Sequence, residues 1–237
     1  MKNTVLFDLG NTLVYYFERQ EFLEILRQAI TEVQNYLRQE RLLHVSSDVM
    51  WSQVNAEDYE SSDYRVRPLE ERLTRIFQID ELDQSCDVIM HMCRCFMKPI
   101  LARVYCYEDT LPTLEELRSK GYRMAIVSNT TWGSPASLWR EHVENFGLNR
   151  YMDALVFCRD AGWRKPAKQI FEYTLEKLQV HPQDCIFVGD DPRWDLVGPS
   201  TVGIEPVTID RKRTMKQVKE AWIISNLREL VEKLKLL

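Results

Sequence analysis

Asp8 closes the apolar run TVLF and is followed by Gly10, Asn11 and Thr12. A carboxylate in that position is costly to bury unless it is paired or holds a metal. Similar polar points recur along the chain. Ser128 ends MAIVS and precedes Asn129; Lys165 precedes PAKQIFEYTLEKL; Asp190 and Asp191 end CIFVG, with Asp195 shortly after. These residue types suit phosphoryl chemistry. Mg²⁺ binds through one or two carboxylates plus a phosphate oxygen. An aspartate can attack phosphorus to give an aspartyl-phosphate that water then hydrolyses. A lysine ammonium neutralises charge on the transferring group, and hydroxyls and turn amides satisfy its other oxygens. Singly, each fragment has a plain alternative. A D-x-G sequence is a common turn, and Ser128–Asn129 or Asp190–Asp191 would serve as caps.

The elements that must position these residues are legible as a change of apolar period. VLFDL, MAIVS (124–128), ALVFC (154–158), CIFVG (185–189) and GIEPVTI (203–209) are short aliphatic runs suited to strands covered on both faces. LPTLEELRSKG, PASLWREHVENFG, KQIFEYTLEKLQ and WDLVGPSTVG between them have helical character, and ISNLRELVEKLKLL predicts a final helix. Strand–helix alternation predicts an α/β fold with a doubly wound parallel sheet. All strand C-termini then face the same way, and the polar points converge on one crevice.

Residues 15–105 break that rhythm. FLEILRQAITEVQNYLRQE, LEERLTRIFQ and CDVIMHMCRCFMKPIL carry apolar residues at helical spacing, and no strand is expected there. The prediction is a core of residues 1–14 and 106–237 interrupted by an α-helical domain over 15–105. Tyr15, Tyr16 and Phe17, at the junction, either face a substrate or pack the hinge. DRKRTMKQVKE (210–220) predicts a solvated loop or face.

Bulk properties set outer bounds. The 237 residues are 45% hydrophobic and 28% charged, the balance of a globular protein. A net charge of −5 argues against nucleic acid or an anionic membrane as partner. The sequence has no spanning apolar run and no leader pattern, so a cytoplasmic protein is expected. Six scattered cysteines fit that compartment. Cys93 and Cys95 lack a second pair at metal-site spacing and are expected to be packing residues. Nothing in the pattern specifies an oligomeric state.

Taken in order, the polar points resemble the motifs of the haloacid dehalogenase-like (HAD) hydrolases with a helical cap after the first motif. D-x-D-x-T is matched by Asp8-Leu9-Gly10-Asn11-Thr12, except at the second aspartate. The Ser/Thr motif is matched by Ser128-Asn129, the lysine motif by Lys165-Pro166, and the acidic motif by Gly189-Asp190-Asp191 with Asp195. The resemblance implies a Rossmann-like core and a Mg²⁺-dependent phosphatase of a small phosphorylated metabolite. Asp8 would be the nucleophile, with Ser128, Asn129 and Lys165 on the phosphate. Asp8, Asp190 and the Gly10 carbonyl would hold the metal, and Asn11, Thr12, Asp191 and Asp195 would support the site. The aspartate that protonates the leaving oxygen in the family's phosphatases is missing at Gly10. Two other enzyme chemistries resemble this pattern, carbon–halogen and carbon–phosphorus cleavage. The dehalogenases place an aromatic residue where Gly10 stands, and the phosphonate-cleaving branch needs a cap lysine, for which only Lys98 is available. A catalytically weak binding or regulatory protein on the same fold is the non-enzymatic alternative.

Overall fold

The computed structural model describes residues 2–58, 61–79, 86–215 and 222–234. Strand β1 (Thr4–Phe7) is buried along its whole length, and the chain leaves it through a tight turn into β2 (Val14–Tyr15). Four helices follow: α1 (Phe22–Gln39), α2 (Ser47–Ala56), α3 (Leu69–Phe77) and α4 (Cys86–Ile100). In α1 the buried residues Leu26, Ala29, Ile30, Val33 and Leu37 recur at helical spacing and form one stripe. Met92, Cys93, Phe96, Met97 and Ile100 do the same in α4, and both stripes belong to one apolar cluster.

The expectation of no strand at 15–105 needs a correction at both ends. Strand β3 (Tyr105–Cys106) pairs antiparallel with β2, Val14 against Cys106 and Tyr15 against Tyr105. Two-residue strands carry too little pattern to be read from sequence, yet this pair brings both ends of the inserted segment side by side.

The remainder alternates as predicted: α5 (Thr110–Ser119), β4 (Arg123–Ser128), α6 (Ala136–Asn145), β5 (Ala154–Phe157), α7 (Cys158–Ala161), α8 (Lys168–Leu178) and β6 (Cys185–Gly189). Then come α9 (Pro192–Asp195), α10 (Val197–Thr201), β7 (Glu205–Ile209), an edge strand β8 (Trp222–Ile224) and α11 (Leu227–Leu234). Strand β8 has no signal of its own in the sequence, because WII is short and lies between a charged run and the last helix. Of the 210–220 run, residues 216–220 lie outside the described residues. Lys212 is solvated as expected, but Arg211 is not. It reaches Asp109 and the Thr12 carbonyl and packs 3.7 Å over the Tyr107 ring.

The sheet order is β5-β4-β1-β6-β7-β8, with every neighbouring pair parallel. The chain builds outward from β1 to β5 on one side, then returns to β6 on the other. β1 therefore lies at the switch point of a doubly wound sheet, where a crevice opens beyond the strand ends. Phe7 is in register with Ile126 on β4 and Val188 on β6, so Asp8 emerges between the ends of both neighbours. Among the described residues, no helix is long and apolar enough to cross a membrane.

Candidate active site

Asp8 continues the ladder for one step beyond β1, its N–H donating to the Val188 carbonyl at 2.8 Å. Its carboxylate is fixed from two directions. The Ser128 hydroxyl, at the end of β4, donates to Oδ1 at 2.8 Å, and the Lys165 ammonium donates to the same oxygen at 2.6 Å. Lys165 also donates to Oδ1 of Asp195 at 2.7 Å and is only 1% exposed. Its ammonium also lies over the Phe187 ring, 5.2 Å from the ring centre.

Each neighbour of this triad has a local reason to be where it is. The Asn129 carboxamide accepts from the Lys165 N–H at 2.8 Å and donates to the Lys165 carbonyl at 3.2 Å. It positions the lysine backbone, so the side chain expected on the phosphate is engaged elsewhere. Asp191 caps α9, accepting from the Arg193 N–H at 3.1 Å and the Arg193 Nε at 2.9 Å. Its carboxylate turns away from the crevice, while its backbone N–H donates to Asp195 Oδ2 at 3.1 Å. That bond, and the one turn of α9, return Asp195 to the centre of the cluster, a more intimate place than the supporting one its spacing suggests.

Asn11 and Thr12 shape the turn after Asp8. Asn11 adopts a left-handed backbone (φ 54°) and its side chain donates to the Phe17 carbonyl at 3.5 Å. The Thr12 hydroxyl is buried without a hydrogen-bond partner among the described residues. Tyr16 is the residue whose place at the site the sequence leaves open. A β-carbon built on Gly10 would meet Tyr16 Cδ2 at 3.6 Å and Cε2 at 4.0 Å, so the ring borders the space a side chain at position 10 would take. Tyr15, by contrast, stacks on Tyr105 at 5.0 Å in the hinge.

Residues 61–70, which run from beyond α2 into the first turn of α3, lie against the loops that carry Ser128 and Lys165. Arg65 forms a β-bridge with Trp163, Arg164 donates to the Ser61 carbonyl, and Arg159 forms a two-pronged pair with Glu70 at 2.9 Å. These contacts are not legible in the sequence, because they join single residues far apart in the chain.

Asp8, Asp190 and Asp195 each offer an oxygen within 4.8 Å of the others, the one such group among the described residues. Three carboxylates face one ammonium, with Asp8 and Asp195 buried and Asp190 half-buried. Burial pushes the Asp190 carboxyl well above its ordinary range, and the charges of Asp8 and Asp195 add to it. Asp195 is pushed to about 7 by burial and Asp8, with Lys165 opposing. Burial disfavours charge on Lys165, but Asp195 and Asp8 outweigh it and raise its pKa, so the ammonium stays protonated. An all-oxygen donor set with surplus negative charge fits a hard divalent cation, so this cluster is able to bind a metal. The Tyr16 hydroxyl is raised well above its usual value by burial and then by Asp8, so it remains a phenol.

The family model for haloacid dehalogenase-like hydrolase matches residues 2–203. Among curated relatives, the chain is 33% identical over 102 residues to a ribulose-1,5-bisphosphate 5-phosphatase of Halopiger xanaduensis, covering 43% of this chain and 41% of the relative. It is 33% identical over 106 residues to an (S)-2-haloacid dehalogenase 4A of Burkholderia cepacia, covering 45% and 44%. The chain thus spans less than half the length of either. A crystal structure of a HAD phosphatase from Thermococcus onnurineus superposes with a TM-score of 0.66 at 26% identity, covering 99% of this chain and 98% of the other.

Proposed function

The chain belongs to the haloacid dehalogenase-like hydrolase family, and on that premise we propose that it hydrolyses a phosphomonoester of a small metabolite with Mg²⁺. Asp8 attacks phosphorus and takes the phosphoryl group as an aspartyl-phosphate; the P–O bond to the substrate breaks, and water later attacks the intermediate to release phosphate. Ser128 and Lys165 leave Asp8 to hold the transferring oxygens, which is why both already converge on its carboxylate. Asn129 and Asp195 keep Lys165 in place. Asp8, Asp190 and the Gly10 carbonyl would hold Mg²⁺, which when bound supplies neutralising charge to the phosphoryl oxygens. The helical segment 15–105 acts as the cap, with its 61–70 stretch excluding water from the crevice.

The observation that carries this reading is the third carboxylate. Lys165 alone leaves the acids undercompensated, and a cation plus a phosphoryl group balances that charge. The carbon–halogen alternative draws on the missing acid at Gly10, since halide leaves without a proton, but it has no use for surplus carboxylates. Lys98, the one candidate for phosphonate chemistry, is paired with Glu32 on the outer surface of α4. The deciding measurement is inorganic phosphate released from a panel of sugar, aryl and carboxylate-bearing phosphomonoesters, with Mg²⁺ and with chelator, alongside halide release from 2-haloacids. Asp8→Asn should abolish phosphate release while the far-UV spectrum is unchanged. Halide release without phosphate release would reverse the reading.

A further inference from the structure

Tyr16 is 7% exposed, and its hydroxyl is buried with no hydrogen-bond partner among the described residues. A buried hydroxyl left unpaired costs stability, so each case needs a reason. The ring is held firmly. Its centroid lies 5.4 Å from that of Trp139 and 5.4 Å from that of His142, and Trp139 is itself anchored by donating to the Ser134 hydroxyl at 2.8 Å. The ring edge that borders Gly10 is the δ2–ε2 edge, and Cε2 is adjacent to the hydroxyl-bearing carbon. The hydroxyl lies beyond Cε2, more than 4 Å from where a Gly10 β-carbon would stand, and the charge of Asp8 bears on it there.

Resting on the phosphatase reading, we propose that the Tyr16 hydroxyl is the hydrogen-bond donor for the leaving oxygen of the substrate, in the place left open by Gly10. A phenol is one O–H donor, and none of the described residues offers it an acceptor. As the ester P–O bond lengthens, negative charge grows on the departing oxygen, and a hydrogen-bond donor that reaches it stabilises that charge. The donor stays a phenol throughout; the departing oxygen takes its proton from water. The substrate class this suits is a phosphomonoester of an alcohol, whose oxygen is a poor anion and gains most from a donor. Activated aryl or acyl phosphates gain least.

The test compares wild type with Tyr16→Phe, in Mg²⁺, on 4-nitrophenyl phosphate, phenyl phosphate and a simple alkyl phosphate, with thermal melting of both proteins. The proposal expects kcat/KM to fall about tenfold or more on the alkyl phosphate and by much less on 4-nitrophenyl phosphate, so that dependence on the leaving group steepens. It also expects the melting temperature to hold or rise, since the change removes an unsatisfied buried hydroxyl. An equal loss on all three substrates, or none, overturns it. So does a fall in melting temperature, which would mean that the hydroxyl has a partner within the protein. A wild type that releases phosphate from no monoester overturns the phosphatase reading and this inference with it; an active wild type with uniform loss in the variant overturns the inference alone.

Discussion

Gly189 and Asp195 approach so closely that a β-carbon on Gly189 would lie 2.3 Å from the Asp195 carboxyl group. The strand end and the single turn of α9 thus leave room for Asp195 against Lys165 only because position 189 is bare. Gly189→Ala should push Asp195 off the ammonium and misplace Lys165. Removing a preorganised electrostatic group commonly costs on the order of 10²–10³ in kcat, and a displacement of this kind should cost at least about tenfold. Steady-state kinetics beside circular dichroism checks it. Full activity in a folded Gly189→Ala variant would mean that Asp195 has no part in holding Lys165.

Lys165→Met tests the same pair from the other side. Lys165 is the one cation that contacts the carboxylates of Asp8 and Asp195 among the described residues. Breaking a buried pair by removing one partner costs roughly 3–5 kcal/mol, because the acids left behind are uncompensated. The melting temperature should drop in chelator and recover in part with Mg²⁺, while kcat/KM measured in Mg²⁺ falls. A metal-independent drop would show that the carboxylates do not bind the ion.

The acids also set a pH dependence. Asp195 is raised to about 7 and Asp190 is raised well above its ordinary value, so the folded chain keeps protons that an unfolded aspartate releases near pH 3.9. Where the folded state binds more protons, stability falls as pH rises. Carboxyls held low, such as Asp153 and Asp210, act in the opposite sense but below their ordinary range. The metal-free protein should therefore lose melting temperature between about pH 5 and 7.5, and Mg²⁺ should flatten the slope. A flat metal-free profile, unaffected by Asp190→Asn, would refute the crowding argument.

Gly133 governs the approach of the 61–70 stretch. Its backbone is left-handed (φ 69°), and a β-carbon there would lie 2.1 Å from the Arg67 carbonyl oxygen. Backbone cannot yield as a flexible side chain does, so Gly133→Ala should detach this stretch from the loop after Ser128. The expected result is a KM raised about tenfold or more, with kcat also reduced, as closure defects generally give. Faster proteolysis within 61–70 would accompany it. Unchanged kinetics would remove this stretch from the cap's role over the crevice.

The sheet is readable because parallel strands buried on both faces are uninterrupted aliphatic runs, and five of its six strands carry such runs. The candidate site is readable in outline for a related reason: Asp8, Ser128 and Asp190 stand where apolar runs stop, and Lys165 stands just before a helical run. What the sequence hides is the division of labour among adjacent polar residues. Nothing in Asp190-Asp191-Pro-Arg-Trp-Asp195 says that Arg193 claims Asp191 or that Asp195 folds back onto Lys165. Tyr16 is hidden differently. It belongs to an aromatic triplet whose members have separate fates, Tyr15 on Tyr105 and Phe17 on Phe22, and only packing distinguishes them.

Gly10→Asp addresses the missing acid directly. The contact a new β-carbon would make, 3.6 Å to the Tyr16 ring, is ordinary packing, so the side chain can enter without displacing backbone. Its carboxyl would stand near Asp8 in a crevice already rich in acids, and like charges raise a carboxyl pKa. It would therefore hold its proton near neutral pH and give it to the leaving oxygen. General acid catalysis contributes typically 10²–10⁴-fold, and an alkyl phosphate should gain a large part of it while 4-nitrophenyl phosphate gains little. The new acid would also make the phenol redundant. Tyr16→Phe should then cost far less in the Gly10→Asp background than in wild type, a coupling that a double-mutant cycle measures. Equal effects of Tyr16→Phe in both backgrounds, or equal gains on both substrates from Gly10→Asp, would show that position 10 and Tyr16 do not serve the same oxygen.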